Sequence, residues 1–386
     1  MSISSFRIPT TIKFGPGVSD NAAAVFVQAA CRRPLLVTDR ALAKLAVTAT
    51  VLASLQRQGL DPVVYSEAEG NPNLSQVMQG VEVYGRQGAD SIVMLGGGCA
   101  LDVGKAIALM VNHPGHLFAY EDDKADALPI NQPIPLLVAI PTTAGTGSEV
   151  GGSTVISHDG SHEKVIIWST RLVPSQVFAD PCLTTSLPPL ATAATGIDAL
   201  THNIEAFLAK NFHPVCDGIA LEGVRIIADN LPRVLGNPED VEARGMMMLA
   251  SMMGGTAFQK GLGVTHSCAH ALSTCFDVHH GLANWLMLLP SMAFNLEVVP
   301  ERFARLGRAI GLEGSNQQLI NGFFSWLKSL RKICPLPYNL EQMNIVPNER
   351  LLAVALQDAC HANNPRPCRE EDFRRLFAQA VRNDFL

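Results

Sequence analysis

The sequence predicts two domains of different class: an N-terminal α/β domain on a parallel, Rossmann-like sheet, followed by an all-α C-terminal domain. Three observations carry this. Short β-rich apolar runs alternate with helical patterns through the first half, the rhythm of a parallel sheet covered by helices. The rhythm stops at "PCLTTSLPP" (181–189). Beyond that stretch nearly every segment has helical spacing. The expected boundary lies near residue 182, dividing the chain into 1–182 and 183–386.

The elements follow in order. "PLLVTD" (34–39) is an apolar run that ends on a polar tip, and "ALAKLAVTATVLASLQRQG" has helical spacing and a terminal glycine. "PVVYS", the helical "NLSQVMQGVEVYGRQG", "SIVMLGGG", the helical "ALDVGKAIALMVNH" and "IPLLVAIPTT" continue the alternation. "GSTVISHDGSHEKVIIWS" interrupts it and reads as a hairpin turning at Asp159-Gly160. "QVFAD" (176–180) reads as the last strand, and helical segments at 190–209, 213–230 and 239–257 open the second domain.

Bulk properties narrow the function classes. The 386 residues are 47% hydrophobic and 17% charged, as in a packed globular protein. Twenty-nine basic against 35 acidic residues give a net charge of −6, with the basic residues scattered, so neither nucleic acid nor an anionic membrane is an expected partner. The first residues, "MSISSFRIPTTIKFGPG", lack an apolar signal core. "MMMLASMMGGTAF" (246–258) is too short for a membrane span. Nine dispersed cysteines without a C-x-x-C point to reduced thiols in a cytoplasm rather than a disulfide framework.

Ligands of parallel α/β sheets gather at the carboxyl ends of the strands. Three such ends carry suitable chemistry. Gly96-Gly97-Gly98 leads into a helix with Asp102 and Lys105, where backbone can approach a phosphate and the helix start offers free N–H groups. The spacing fits neither G-x-G-x-x-G nor a P-loop, so the turn alone is weak evidence. "PTTAGTGSEV" (141–150) gathers hydroxyls and glycines; its plainer reading is a capped helix start. Asp39, at the tip of the first predicted strand, suits a ribose 2′-OH and opposes a 2′-phosphate; its plainer reading is a helix cap.

The second domain holds the metal-type chemistry. In "GIDALTHNIEAF" (196–207), Asp198 and His202 stand four apart and share a helix face, a half-site for a divalent ion unless they are a simple surface pair. "THSCAHALSTCFDVHHG" (265–281) adds His266, His270, His279 and His280. Spacing nominates His266 with His270, and leaves His279 and His280 as rivals.

Taken together, "GGGCALDVGKA", "PTTAGTGSEV", "DALTHNIEAF", "GLGVTHSCAH" and "HHGLAN" make the chain resemble the iron-containing, or group III, alcohol dehydrogenases over essentially its whole length. The resemblance implies the dehydroquinate synthase-like fold, with an α/β nucleotide-binding domain and a helical metal-binding domain. It implies Asp198, His202, His266 and His280 as metal ligands, with Fe²⁺ favoured over Zn²⁺, and His270 as a histidine of the active site that either relays a proton or only supports the site. His279 falls where proline or histidine is common. The implied cofactor contacts are Asp39, Asn71, Gly97, Gly98, Cys99, Asp102, Thr142, Thr143, Thr146 and Lys164, with NAD expected over NADP because of Asp39. Cys99 departs from the family's serine, Gly104 from its alanine, and Trp285 stands where a small residue is usual and is expected to reshape the region near the metal. The helix start beside Cys99 is expected to depress its thiol pKa.

The implied activity is reversible oxidation of an alcohol to an aldehyde or ketone by hydride transfer to a nicotinamide. Phe258, Leu262 and Trp285 suggest a modest uncharged substrate. Assembly into a homodimer or larger homo-oligomer is left open. Two alternatives are kept: a non-redox lyase of the dehydroquinate synthase type, disfavoured by few basic residues near the motifs, and a non-catalytic module that binds NAD and metal.

Overall fold

The computed structural model describes residues 7, 10–122 and 124–383. The chain divides into two compact units. An α/β unit runs through Thr143 and resumes over Gly147–Ser186; a helical unit takes Leu187 onward together with Arg7 and Ala144–Thr146.

The α/β unit contains strands β1 (Thr11–Phe14), β2 (Pro34–Asp39), β3 (Val63–Ala68), β4 (Ser91–Gly96), β5 (Leu136–Pro141), β6 (Ser153–Ser157), β7 (Lys164–Trp168) and β8 (Gln176–Ala179). Six of them form one sheet in the order β1-β8-β5-β4-β2-β3, with every pairing parallel. β6 and β7 make the expected antiparallel pair. β4 is buried at every position and β2 at all but its polar tip, as strands covered on both faces must be. Sequence reasoning missed β1, an exposed edge strand whose alternation, Ile12 and Phe14 between Thr11 and Lys13, spans only four residues.

Helices α1 (Ala22–Gln28), α2 (Ala46–Arg57), α3 (Leu74–Gln87) and α4 (Gly98–Met110) complete this unit. The helix expected from Ala41 begins later. A 3₁₀ turn over Leu42–Lys44 comes first and α2 starts at Ala46. α3 shows why its sequence is helical: Asn73 and Gln76 form a reciprocal capping box, and Gly88 ends the helix in the left-handed region at φ 64°. The strand order reverses direction between β2 and β4, because the chain leaves β2 toward β3 and returns past it to β4. That switch point sets Asp39 and the Gly96–Gly98 turn at neighbouring strand ends.

The helical unit contains α5 (Pro189–Leu208), α6 (Pro214–Gly236), α7 (Val241–Ala257), α8 (Val264–Phe276), α9 (His280–Leu296), α10 (Pro300–Ala309), α11 (Asn316–Ser329), α12 (Glu349–Gln357) and α13 (Glu370–Arg382). One core joins apolar faces of α5, α6, α7, α9, α10 and α11, including Ile197, Ile227, Leu288, Phe303 and Phe323. A second gathers Leu272, Leu286, Leu351 and Phe373. Sixteen of the twenty residues of α5 are buried, so its polar residues sit in the interior and must find partners there. No helix among the described residues is long and apolar enough to cross a membrane.

Candidate metal centre

Three helices of the helical unit supply the donors. Asp198 and His202 project from one face of α5, His266 lies in the first turn of α8, and His280 is the first residue of α9. One ligand atom from each of the four lies within 4.8 Å of those of the other three. His280 Nε2 stands 3.4 Å from Asp198 Oδ1, and the His202 and His266 rings stack at 4.7 Å. Gly281 permits this approach of α9 to α5, because a Cβ there would lie 2.2 Å from the carbonyl oxygen of Ala194.

The donor chemistry fits a divalent transition ion. His266 Nδ1 donates to Glu205 Oε2 at 2.7 Å, and His202 Nδ1 faces the Gly145 carbonyl at 3.3 Å, which leaves the Nε2 lone pair of each ring for a cation. Burial pushes the His202 imidazole down to about 4, against the pull of Asp198, so the ring is neutral at pH 7, the form that ligates. One carboxylate with three imidazoles suits Fe²⁺ or Zn²⁺.

Asn284, one turn after His280, directs Nδ2 into the cluster, 2.7 Å from Asp198 Oδ1 and 3.4 and 3.3 Å from the Nε2 atoms of His266 and His280. His270 lies beside the cluster, its ring stacked on His280 at 5.2 Å. Its Nδ1 donates to Asp358 Oδ2 at 2.6 Å, while Ser267 Oγ and the Cys360 N–H donate to Asp358 Oδ1 at 2.7 and 2.9 Å. Burial pushes the Asp358 carboxyl up, but His270 and these donors outweigh it and hold it well below its ordinary value. His279 is exposed and occupies the N-cap position of α9 without a side-chain cap hydrogen bond.

Sequence reasoning missed Glu205, Asn284 and Asp358. The first two carried a signal, at helical spacing from His202 and His280. Asp358 carried none, since 88 residues separate it from His270. Phe258 does stand at the site, its ring 5.3 Å from that of His202. Trp285 departs from expectation. It is one residue past Asn284, and roughly 140° around the helix from His280. Its indole joins the core, beside Leu288, Leu289 and Leu327, instead of the donors.

The residues expected to hold the nucleotide lie in the α/β unit, except Thr146, which groups with the helical unit. Asp39 ends β2, and its Oδ1 accepts the N–H groups of Ala41 and Leu42 at 3.0 and 2.7 Å; it ties the turn after β2, while the N-cap position of α2 falls to Leu45 instead of Asp39. The other oxygen faces the glycine turn: a Cβ on Gly96 would stand 3.7 Å from Oδ2. Gly96 itself has φ 152°, and Gly97 lies against the Thr143 side chain, with 3.0 Å from a built Cβ to Cγ2. Thr142 and Thr143 follow β5, Gly98 begins α4, Lys164 begins β7, and Asn71 precedes α3. Asp102 is engaged inside the protein, accepting Ser148 Oγ at 2.6 Å and the Val155 N–H at 3.1 Å.

Lys105 is fully buried and clamps the same loop, donating to the Ser148 and Ser153 carbonyls at 2.5 and 2.9 Å. Cys99 contradicts the expected depression. Burial, reinforced by the Asp102 and Asp39 carboxylates, pushes its thiol up to about 12, so loss of solvation outweighs the helix start. All nine cysteines are free thiols.

Comparison with known proteins places the chain in a family. The model of the iron-containing alcohol dehydrogenase family matches residues 9–181, and that of the family's C-terminal domain matches 192–381. The chain is 37% identical to a 4-hydroxybutyrate dehydrogenase of Cupriavidus necator, over 91% of this chain and 92% of that protein. It is 33% identical to a 1,3-propanediol dehydrogenase of Citrobacter freundii, over 97% and 98%. Among solved structures, a 1,3-propanediol oxidoreductase superposes with a TM-score of 0.94 at 32% identity, covering 98% of this chain and 100% of that one. Sulfoacetaldehyde reductase from Bifidobacterium kashiwanohense, solved with NAD⁺, gives a TM-score of 0.89 at 25% identity over 100% of each chain. The chain belongs to the iron-containing alcohol dehydrogenase family and is an oxidoreductase acting on alcohols.

Proposed function

We propose that this enzyme interconverts a short alcohol and its aldehyde or ketone with NAD(H), in the cytoplasm, using a divalent ion held by Asp198, His202, His266 and His280. Fe²⁺ is the favoured ion. The observation that carries the reading is the convergence of these four donor atoms within 4.8 Å, three of them on buried side chains and His280 at the half-buried edge. When bound there, a divalent ion supplies Lewis acidity to an alcohol or carbonyl oxygen, and the nicotinamide supplies or accepts the hydride.

The chain's own residues do the rest. Asn284 and Glu205 orient the donors. His270, fixed through Nδ1 by Asp358, keeps Nε2 for moving the hydroxyl proton toward solvent. Asp39 offers Oδ2 to a ribose 2′-OH, and the Gly97–Gly98 turn with Thr142 and Thr143 lets backbone and hydroxyls approach the pyrophosphate. Asn71, Cys99, Asp102, Thr146 and Lys164 complete the proposed cofactor contacts.

The relatives named for 4-hydroxybutyrate and 1,3-propanediol put short alcohols with a second functional group at ω first in a screen. Anaerobic purification with elemental analysis, followed by NADH oxidation over short aldehydes and ketones, tests the reading. Stoichiometric metal and turnover of at least one short aldehyde are expected. Metal bound without turnover of any carbonyl compound would overturn it in favour of a non-redox role.

A further inference from the structure

Glu205 lies three residues beyond His202 on α5 and is only 2% exposed. All its hydrogen-bonding capacity is turned toward α8. Oε1 accepts the Thr265 N–H at 2.7 Å; Oε2 accepts the Gly263 and His266 N–H groups at 3.0 and 3.3 Å. α8 needs these acceptors, because its N-cap residue is Gly263, which has no side chain to cap with. Asn364 Oδ1 takes the Val264 N–H at 3.2 Å, and the buried Glu205 carboxylate takes the rest of the first turn of the helix that carries a metal-type histidine, its charge complementing the positive end of the helix.

The fourth bond has a different consequence. Oε2 also accepts from His266 Nδ1 at 2.7 Å. An ionised carboxylate accepts only, so Nδ1 must carry the hydrogen and Nε2 the lone pair. His266 Nε2 is the atom that faces the donor cluster, 3.4 Å from Asn284 Nδ2. The opposite tautomer would put a hydrogen where a lone pair is required.

We propose that Glu205 is a positioning residue of the metal centre: it holds His266 in the Nδ1–H tautomer, and the same carboxylate anchors the helix start that aims Nε2 at the other donors. This rests on the reading of Asp198, His202, His266 and His280 as ligands. It assigns to one residue both the fold of the α8 terminus and the affinity of the site.

The test is metal affinity, separate from turnover. In E205Q the amide oxygen still serves backbone N–H groups, but the charge is gone and the amide nitrogen can only donate. The purified chain is stripped with a chelator, and Co²⁺ binding is measured by competition with a chromogenic chelator for wild type, E205Q and H266A. Melting of each metal-free form is followed in parallel. Expected are a Co²⁺ dissociation constant raised about ten- to a hundred-fold in E205Q, in the range such outer partners contribute, and a smaller stabilisation on adding Co²⁺.

A Co²⁺ dissociation constant for E205Q within threefold of wild type, while H266A loses the ion, would overturn the role of Glu205 and leave the ligand reading standing. Retention of Co²⁺ by H266A would sink the ligand reading and the inference with it. Should E205Q not fold, the imidazole ¹⁵N spectrum of metal-free wild type decides: a hydrogen on His266 Nδ1 supports the proposal and one on Nε2 overturns it.

Discussion

Asn284 donates its side-chain amide to Asp198, with Nδ2 2.7 Å from Oδ1, and does so at zero exposure. The same nitrogen touches two imidazole lone pairs, while its Oδ1 has no partner. An orphaned buried oxygen is costly. The arrangement is better understood as a donor placed for the cluster than as a side chain placed for its own satisfaction. Asn284→Ala removes the group that orients the Asp198 carboxylate without disturbing helix propensity. Metal content after dialysis should fall, with affinity lower by roughly tenfold or more. Unchanged metal content in N284A would show that Asp198 is oriented without it.

His279 and His280 are adjacent, yet only His280 enters the donor cluster; His279 is exposed at the α9 cap. Their side chains diverge because α9 begins at His280, which gives the two residues different backbone conformations. His280→Ala should abolish metal retention and reduce turnover by several orders of magnitude. His279→Ala should keep most of both. Equal metal loss in the two variants, measured by elemental analysis, would refute the assignment.

Much of this was legible in the sequence, for identifiable reasons. Strands β2, β4 and β5 were readable because both faces are buried, which makes continuous apolar runs, and β1 was not because it is short and exposed. The pair Asp198 and His202 was readable because helix periodicity puts i and i+4 on one face. The choice among four later histidines was not readable from spacing and came only with the family resemblance, because His279 and His280 are separated by where α9 starts and His266 and His270 by tertiary packing. Asp358 reaches His270 only through tertiary folding, and no local pattern could have revealed it. Cys99 shows the opposite failure. Its place at a helix start was read correctly, but burial and neighbouring carboxylates set the direction of its shift.

Asp39 turns its two oxygens to different neighbours. Oδ1 caps the turn at Ala41 and Leu42, and Oδ2 faces the Gly96 side. Replacing it with glycine would remove both. Asp39→Asn keeps an oxygen for the cap and removes only the charge that opposes a 2′-phosphate. Wild type should prefer NADH, and D39N should narrow the ratio of kcat/KM for NADH over NADPH by about tenfold, a change of ~1.4 kcal/mol. A wild-type preference for NADPH, or a ratio unmoved in D39N, would remove Asp39 from cofactor selection.

Glu149 is 3% exposed and shares its surroundings with the buried Lys105. Burial pushes its carboxyl from 4.5 up to about 7, with its own backbone amide and Lys105 opposing. Burial likewise pushes Lys105 down to about 8, with Asp102 and Glu149 opposing. The signs separate the two groups. A carboxyl with a raised folded-state pKa contributes stability that is fully present below the unfolded value and lost as pH rises through the folded one. For Glu149 that window runs from about 4.5 to about 7. Lys105 stays protonated across it and adds no slope there, since its depressed pKa acts only near 8 and above. Wild type should therefore lose stability between pH 5 and pH 7.5 relative to Glu149→Gln, by on the order of 2 kcal/mol. Urea midpoints of both proteins across this range provide the measurement. Parallel pH profiles for the two would mean that Glu149 ionises in the folded protein as easily as in the unfolded chain.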